Sequence, residues 1–205
     1  MNLTNIFSQK HKMNCWKSSE SVSGTGSELK NTQILRNELQ NLLGNYNIKT
    51  LLDAPCGDFN WMKEMELSKV SYTGVDIIPD VIENNKKIFN LDFRVMDITV
   101  DALPKVDLII NRDCLVHLSN ENIFKFIANI KKSGSKYLLV TSFTEKKIGE
   151  KKCNSDILNG SWRPLNLELS PYNFKNPLHT INENCMEVYP LYTDKCMLLY
   201  DIKKL

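Results

Sequence analysis

The stretch that decides the fold is Leu51-Leu52-Asp53-Ala54-Pro55-Cys56-Gly57-Asp58. Two leucines and an acid indicate the end of a buried strand, and the single glycine indicates a tight turn, after which a helix is predicted to begin near Phe59. In open α/β sheets, ligands bind at the carboxyl ends of strands, where such turns lie. The stretch therefore predicts a ligand site at residues 53–58.

The turn lacks the glycines of a dinucleotide-binding G-x-G-x-x-G loop. Pro55 and Phe59 occupy two of the glycine positions, and Asp58 adds negative charge where a pyrophosphate needs backbone donors. The turn suits a nucleoside ligand without phosphates, of which S-adenosylmethionine (SAM) is the obvious example.

Strands and helices alternate after residue 48, which predicts a Rossmann-like, doubly wound α/β fold. Parallel strands are predicted at 50–54, 71–77, 93–97, 106–112 and 136–143. Helices are predicted at 28–44, from 59 to 65, at 80–89 and at 120–132. A C-terminal antiparallel hairpin of 186–192 and 195–202 completes a seven-stranded, mostly parallel sheet.

We expect a single domain over residues 1–205. Residues 1–47 would form an N-terminal cap and helix, with a partly mobile start and a capping box of Thr25 and Glu28. Residues 48–143 would form the cofactor-binding core, and 185–205 the closing hairpin. The long connection 144–184 has no clear periodicity, which is typical of a substrate lid.

Composition narrows the class of protein without naming a function. A net charge of +2, with no basic run interleaved with aromatic residues, gives no indication of nucleic-acid binding. No segment approaches the about 20 apolar residues of a membrane helix, and residues 1–12 carry no apolar signal, so we expect a cytoplasmic protein. The six cysteines form no Cys-x-x-Cys pair, so we expect free thiols and no metal site.

Three acids, Asp53, Asp76 and Asp97, end successive predicted strands at spacings of 23 and 21 residues. In a parallel sheet they would lie along one edge, where Asp76 could accept the ribose hydroxyls of SAM, Asp97 the adenine amino group and Asp53 the ammonium group. Each acid alone could instead be a turn residue or a helix cap. An NAD site would use Asp76 equally well but leaves the missing glycines unexplained.

With these motifs the chain resembles class I SAM-dependent methyltransferases over about residues 48–142. The matching stretches are 51–57, Tyr72-Thr-Gly-Val-Asp-Ile-Ile78, Val95-Met-Asp-Ile98 and 107–118. The stretches 20–27 and 161–166 resemble a bacterial subgroup found among surface-polysaccharide genes. The resemblance implies SAM as cofactor, with S-adenosylhomocysteine (SAH) as product. The implied cofactor-binding residues are Trp16, Gly24, Asp53, Ala54, Cys56, Gly57, Asp76, Ile77, Met96, Asp97, Ile98 and Asn111.

The methyl group would lie near the end of the fourth strand, where Arg112, Asp113 and His117 are candidate catalytic residues. His117 or Asp113 could take the proton of a hydroxyl, whereas Arg112 and Arg163 could clamp an anionic acceptor. His117 could equally cap or pack the following helix, and Asp113 could simply pair with Arg112.

Three residues of the long connection are candidates for acceptor binding. Trp162 and Tyr172 could stack on a sugar face, and Arg163 could contact an anion. Anchoring of the segment and a structural ion pair are the alternatives. We expect O-methylation of a small saccharide or a phosphorylated precursor in surface-polysaccharide biosynthesis, with the oligomeric state open. A non-catalytic SAM- or nucleoside-binding partner and a small NAD-dependent reductase are the competing hypotheses.

Overall fold

A mixed seven-stranded sheet forms the centre of the computed structural model, which describes residues 2–144, 153–187 and 191–205. The strand order is β3-β2-β1-β4-β5-β7-β6, with β1 to β5 parallel and β7 antiparallel to both of its neighbours. The strands are β1 (Thr50–Asp53), β2 (Ser71–Asp76), β3 (Asp92–Val95), β4 (Leu108–Asn111), β5 (Tyr137–Phe143), β6 (His179–Asn182) and β7 (Lys195–Asp201). The predicted α/β Rossmann-like fold with a C-terminal antiparallel pair is confirmed.

In the part of the chain that the structure describes, four α-helices accompany the sheet, and buried side chains cover both of its faces. The helices are α1 (Leu3–Lys12), α2 (Leu29–Asn45), α3 (Pro79–Ile88) and α4 (Asn120–Ser133). In β4, Ile109 packs into one core cluster with Phe126 of α4, whereas Leu108 and Ile110 pack into the other with Leu39 of α2. Apolar residues on both faces of one strand explain why the predicted strands read as continuous apolar runs.

The turn after β1 does not open an α-helix, so the helix predicted from residue 59 is wrong. Phe59 has a φ of +60°, and in residues 54–70, all of which the structure describes, the only regular element is a short 3-10 turn, Met62–Glu64. A left-handed residue at the helix start prevents a continuous helix, because successive residues there need negative φ.

The beginning of the chain also differs from expectation. Residues 3–12 form a helix capped by the Asn2 side chain, where the sequence predicts a partly mobile segment. The capping box of Thr25 and Glu28 is not formed: Glu28 accepts the Ser18 hydroxyl at 2.9 Å, and Glu20 caps the first N–H of α2 at 2.7 Å.

The first strand of the closing hairpin lies earlier in the chain than predicted. The partner of β7 is His179–Asn182, and the described residues of the predicted strand, Met186, Glu187, Leu191 and Tyr192, lie in the loop between β6 and β7. Residues 188–190 of that prediction and 145–152 of the predicted lid lie outside the described residues.

Candidate active site

A cavity of about 430 Å³ opens at the carboxyl ends of β1, β2 and β4. Its walls come from the turns after these strands, from Trp16 and α1, and from Val22–Ser27, which we call the strap. Its volume lies within the range of small-molecule binding sites. The predicted residues on its wall are Trp16, Gly24, Cys56, Gly57, Asp76, Ile77, Met96, Asp97, Ile98, Arg112, Asp113, His117 and Trp162.

Asp58 fastens one end of the strap to the turn after β1. Its carboxylate accepts the Ser21 hydroxyl and the Val22 N–H, both at 2.9 Å, and the Ser23 hydroxyl at 3.1 Å. Gly57 has a φ of +52°, and a Cβ there would collide with the Ser23 hydroxyl. The turn therefore needs glycine for its conformation and for the close approach of the strap, a role of Asp58 and Gly57 that sequence reasoning missed.

Two strap glycines allow equally close contacts at the other end. A Cβ on Gly24 would lie 2.7 Å from the Trp16 Cβ, and one on Gly26 would lie 3.1 Å from Asp113 Oδ2. The Thr25 hydroxyl donates a hydrogen bond to Glu187, which lies between β6 and β7. The strap thus extends across the cavity from Asp58 to Glu187.

Asp76 and Asp97 share one end of the cavity with the apolar side chains of Ile77, Met96 and Ile98. The Asp76 carboxylate is buried and accepts N–H bonds from Gly57 at 3.2 Å and Ile78 at 2.9 Å. Burial raises the pKa of Asp76 to about 6, although these backbone donors oppose the shift. A carboxylate so placed gains from any further donor that a ligand brings.

Asp97 is held by the turn that it begins. Its Oδ1 accepts the Thr99 N–H at 2.9 Å and the Thr99 hydroxyl at 2.6 Å. The predicted cap or turn role and the predicted place on the cavity wall therefore occur together in this residue.

Three of the predicted cofactor residues lie behind the cavity wall instead of on it. Asp53 is 2% exposed and accepts the Tyr72 hydroxyl at 2.8 Å, and burial raises the pKa of Asp53 to about 7. The Asn111 amide donates to the Ala54 carbonyl at 2.6 Å, and both residues are fully buried. The side chain of Asp53 is thus turned into the core, where its partner is a tyrosine of the neighbouring strand, and the ammonium contact predicted for it finds no support.

A buried ion network lies at the other end of the cavity, after β4. Glu183 binds Arg112 bidentately, with oxygen distances of 3.0 Å to Nε and 2.6 Å to Nη2. Lys195 Nζ lies 2.6 Å from Asp113, 3.4 Å from Glu183 and 3.7 Å from Glu187. Arg112 also lies 3.4 Å from Asp113, which confirms the simple pairing that the sequence left open.

The network keeps Asp113 ionised. Burial opposes its charge, but Lys195 and Arg112 outweigh burial and lower the pKa of Asp113 to about 2. Burial and Arg112 also disfavour the charge of Lys195, yet the surrounding carboxylates raise its pKa. Asp113 is therefore a poor proton acceptor, because its charge is already satisfied by two cations.

His117 is arranged to accept a proton near neutral pH. Its Nδ1 lies 2.8 Å from the Ser161 carbonyl oxygen, which can only accept, so Nδ1 carries the proton and Nε2 keeps its lone pair. Burial lowers the pKa of His117, which makes the ring neutral at pH 7. The Trp16 ring stands edge-on to the imidazole at 6.2 Å and lines the same cavity.

Three aromatic rings of the cavity, Phe143, Trp162 and Tyr192, form what we call the aromatic wall. Their centroids are 5.0–6.0 Å apart in edge-to-face pairs. Phe143 is the register partner of Lys195 between β5 and β7, so the wall adjoins the ion network. Of these rings, sequence reasoning found only Trp162.

Arg163 and Tyr172 do not line this cavity. Arg163 is 5% exposed, donates to the Leu118 carbonyl at 2.9 Å and contacts the Tyr172 hydroxyl at 3.3 Å. Tyr172 in turn donates to Asn120 at the start of α4. The two residues join the long connection to α4. Tyr172 thus matches the anchoring alternative, whereas Arg163 binds backbone carbonyls, Asn120 and Tyr172 and is buried away from the cavity.

Within the described ranges 2–144, 153–187 and 191–205, no group of histidine, cysteine, aspartate and glutamate side chains has the arrangement of a metal site. Within the same ranges, every helix is too short or too polar to cross a bilayer.

No protein-family model matches the chain, and no curated protein matches it either. Solved structures match its fold. The methyltransferase domain of bacterial CtHen1 matches with a TM-score of 0.57 and 14% identity, over 83% of this chain and 99% of that one. Magnesium protoporphyrin IX methyltransferase from Synechocystis PCC 6803, solved with bound SAM, matches with a TM-score of 0.54 and 12% identity. This match covers 71% of this chain and 78% of that one.

Human N-acetylserotonin methyltransferase, solved in complex with SAM, matches with a TM-score of 0.55 and 15% identity. The match covers 97% of this chain but 65% of the human one, so the chain spans less than two thirds of that enzyme. These likenesses establish the fold: the chain has the class I architecture of SAM-dependent methyltransferases.

Proposed function

We propose that the protein is a SAM-dependent methyltransferase that methylates a hydroxyl oxygen of a saccharide. The observation that carries this proposal is the buried Asp76 carboxylate on the cavity wall beside Gly57, with Asp97 following the next strand. Asp76 would accept the two ribose hydroxyls, and Asp97 the adenine amino group, while Met96 and Ile98 would pack on the adenine ring.

The residues present fit this cofactor. The backbone donates to Asp76 from Gly57 and Ile78, and lone pairs remain on its oxygens for two more donors. The strap and Trp16 would cover the remainder of the nucleoside. When bound, SAM supplies an electrophilic methyl group on a positively charged sulfur.

His117 is the general base in this proposal. The Nε2 of its neutral ring, which the Ser161 carbonyl fixes through Nδ1, would accept the hydroxyl proton as the acceptor oxygen attacks the methyl carbon. Asp113 lies on the same wall but is held by Lys195, so we assign it a positioning role.

A hydroxyl acceptor fits better than a phosphorylated or otherwise anionic one. Arg112 and Lys195 are bound to carboxylates, and Arg163 is buried and does not line the cavity, so none of these three cations is available as a clamp. The aromatic wall would pack against the C–H face of a sugar ring. A place in surface-polysaccharide biosynthesis is supported by the resemblance of residues 20–27 and 161–166.

Isothermal titration with SAM tests the cofactor assignment. We expect Asp76→Asn to weaken binding by about 10- to 100-fold, because hydrogen bonds to a charged group contribute about 1.5–3 kcal/mol. Asp80→Asn, on the exposed start of α3, is the matched control and should bind like the wild type. Correctly folded protein that binds no SAM would refute the proposal.

Transfer of a labelled methyl group from SAM to a panel of neutral sugars tests the reaction. His117→Gln should lower turnover by about 10²- to 10⁴-fold while SAM affinity stays unchanged. Binding of SAM with no transfer to any acceptor would instead favour the non-catalytic binding partner.

A further inference from the structure

The ion network at the second end of the cavity contains more negative than positive groups. Among the described residues it consists of three carboxylates, Asp113, Glu183 and Glu187, and two cations, Arg112 and Lys195. Arg112 and Glu183 satisfy each other with both hydrogen bonds of a bidentate pair. Lys195 lies 2.6 Å from Asp113, 3.4 Å from Glu183 and 3.7 Å from Glu187, so Glu187 is the least compensated of the three carboxylates.

Glu187 lines the cavity, whereas Glu183 does not. Its side chain is 21% exposed, against 1% for Glu183. The hydrogen-bond donors to this carboxylate among the described residues are the Thr25 hydroxyl of the strap and, at 3.4 Å, the Cys185 thiol, and neither brings a positive charge. The excess negative charge is therefore presented to whatever occupies this end of the cavity.

The order of the strands relates this charge to the nucleoside end. Asp76 ends β2, and Asp113 follows β4, with β1 between them. Neighbouring strands lie about 4.8 Å apart, so the ends of β2 and β4 are separated by about 10 Å along the sheet edge. A nucleoside held at Asp76 by its ribose hydroxyls would extend its 5′ substituent over β1 towards Asp113 and Glu187.

We infer that Glu187, the least compensated carboxylate of this network, makes the cavity select the positively charged cofactor SAM over the neutral-sulfur product SAH. The inference rests on the proposed function. During transfer the methyl carbon bonds to the acceptor oxygen, the S–C electron pair stays on sulfur, and the hydroxyl proton passes to His117. The cofactor thus loses one positive charge beside an unchanged carboxylate, and its release is favoured.

Titration of the full chain with SAM, SAH and sinefungin tests this inference, since sinefungin carries an ammonium group in place of the methylated sulfur. We expect SAM and sinefungin to bind at least tenfold tighter than SAH. In Glu187→Gln the three dissociation constants should fall within about threefold of one another, mainly because the two cations bind less tightly. Glu121→Gln, in an exposed ion pair on α4, should keep the wild-type ratio.

Equal binding of all three ligands by the wild type, or an unchanged ratio in a folded Glu187→Gln protein, would overturn the inference and leave the cofactor assignment standing. Binding of none of them would overturn both. If Glu187→Gln does not fold by circular dichroism, the wild-type comparison still decides, because sinefungin and SAH differ in charge at the same position.

Discussion

Two arginine–carboxylate pairs of the same geometry offer a matched test of the buried ion network. In both Arg112–Glu183 and Arg94–Asp92, the oxygens lie 3.0 Å from Nε and 2.6 Å from Nη2. The side chains of the first pair are 4% and 1% exposed, those of the second 55% and 41%. Glu183→Gln and Asp92→Asn therefore remove the same negative charge and one of two acceptor oxygens from different surroundings.

The expected costs differ because a buried charge without its partner cannot be solvated. Breaking a buried pair on one side costs about 3–5 kcal/mol, and we expect the lower limit, about 3 kcal/mol, because Asp113 stays 3.4 Å from Arg112. Loss of the exposed pair should cost about 0.5 kcal/mol. For a domain whose free energy of unfolding is about 5–15 kcal/mol, the first change is severe.

Urea unfolding followed by circular dichroism and tryptophan fluorescence gives both free energies of unfolding. The double variant Arg112→Met with Glu183→Leu should recover much of the free energy of unfolding that Glu183→Gln loses, because neither member of the pair is left as a buried, unpaired charge. A difference between the two single variants below about 1 kcal/mol would refute the reasoning, and so would a double variant less stable than Glu183→Gln.

Three further predictions concern the cavity. Burial raises the pKa of Asp76 to about 6, and only the ionised carboxylate accepts two ribose hydroxyls. SAM affinity should therefore be constant above pH 7 and fall by up to about tenfold per pH unit below pH 6. Calorimetry from pH 5 to 8 measures this, and an affinity that does not change with pH would contradict the prediction. Gly57→Ala should lower the free energy of unfolding, measured by thermal unfolding, by at least about 1–2 kcal/mol, because φ is +52° and a Cβ would collide with the Ser23 hydroxyl. Gly44→Ala should instead stabilise α2 by about 0.5–1 kcal/mol, because a Cβ at residue 44 would meet open space. Asp58→Asn should release the strap, which proteolysis near Ser23 would reveal as faster cleavage than in the wild type.

The sequence was sufficient to predict strand ends and site residues where the local pattern and the topology of the sheet agree. β1 and β2 end within one residue of their predicted ends, at Asp53 and Asp76. Asp76 and Asp97 are brought to one cavity because parallel strands share an edge. The opposite orientation of Asp53 was not predictable, because it depends on Tyr72 of the neighbouring strand supplying a partner inside the core.

The remaining parts of the site depend on contacts between distant segments. Glu183 lies 71 positions from its partner Arg112, and Lys195 lies 82 positions from its partner Asp113. Local sequence patterns do not indicate pairs at such separations. The misplaced hairpin strand has the same cause: which segment pairs with β7 is decided by the register across the sheet. The place of His117 on the cavity wall was predictable, because it follows the fourth parallel strand, whose carboxyl end lies at the same sheet edge as those of β1 and β2.

The strap has a consequence for how the gene tolerates change. Residues 22–27 have the small, polar composition of a dispensable linker, yet they lie against Asp58, Trp16 and Glu187 with little spare room. In a saturation mutagenesis library, variants at Gly24, which has a φ of +102° and lies against the Trp16 Cβ, should be depleted as strongly as variants in the sheet. Tolerance to substitution along this chain will thus depend on how closely the backbone approaches neighbouring segments, and less on how polar the sequence is.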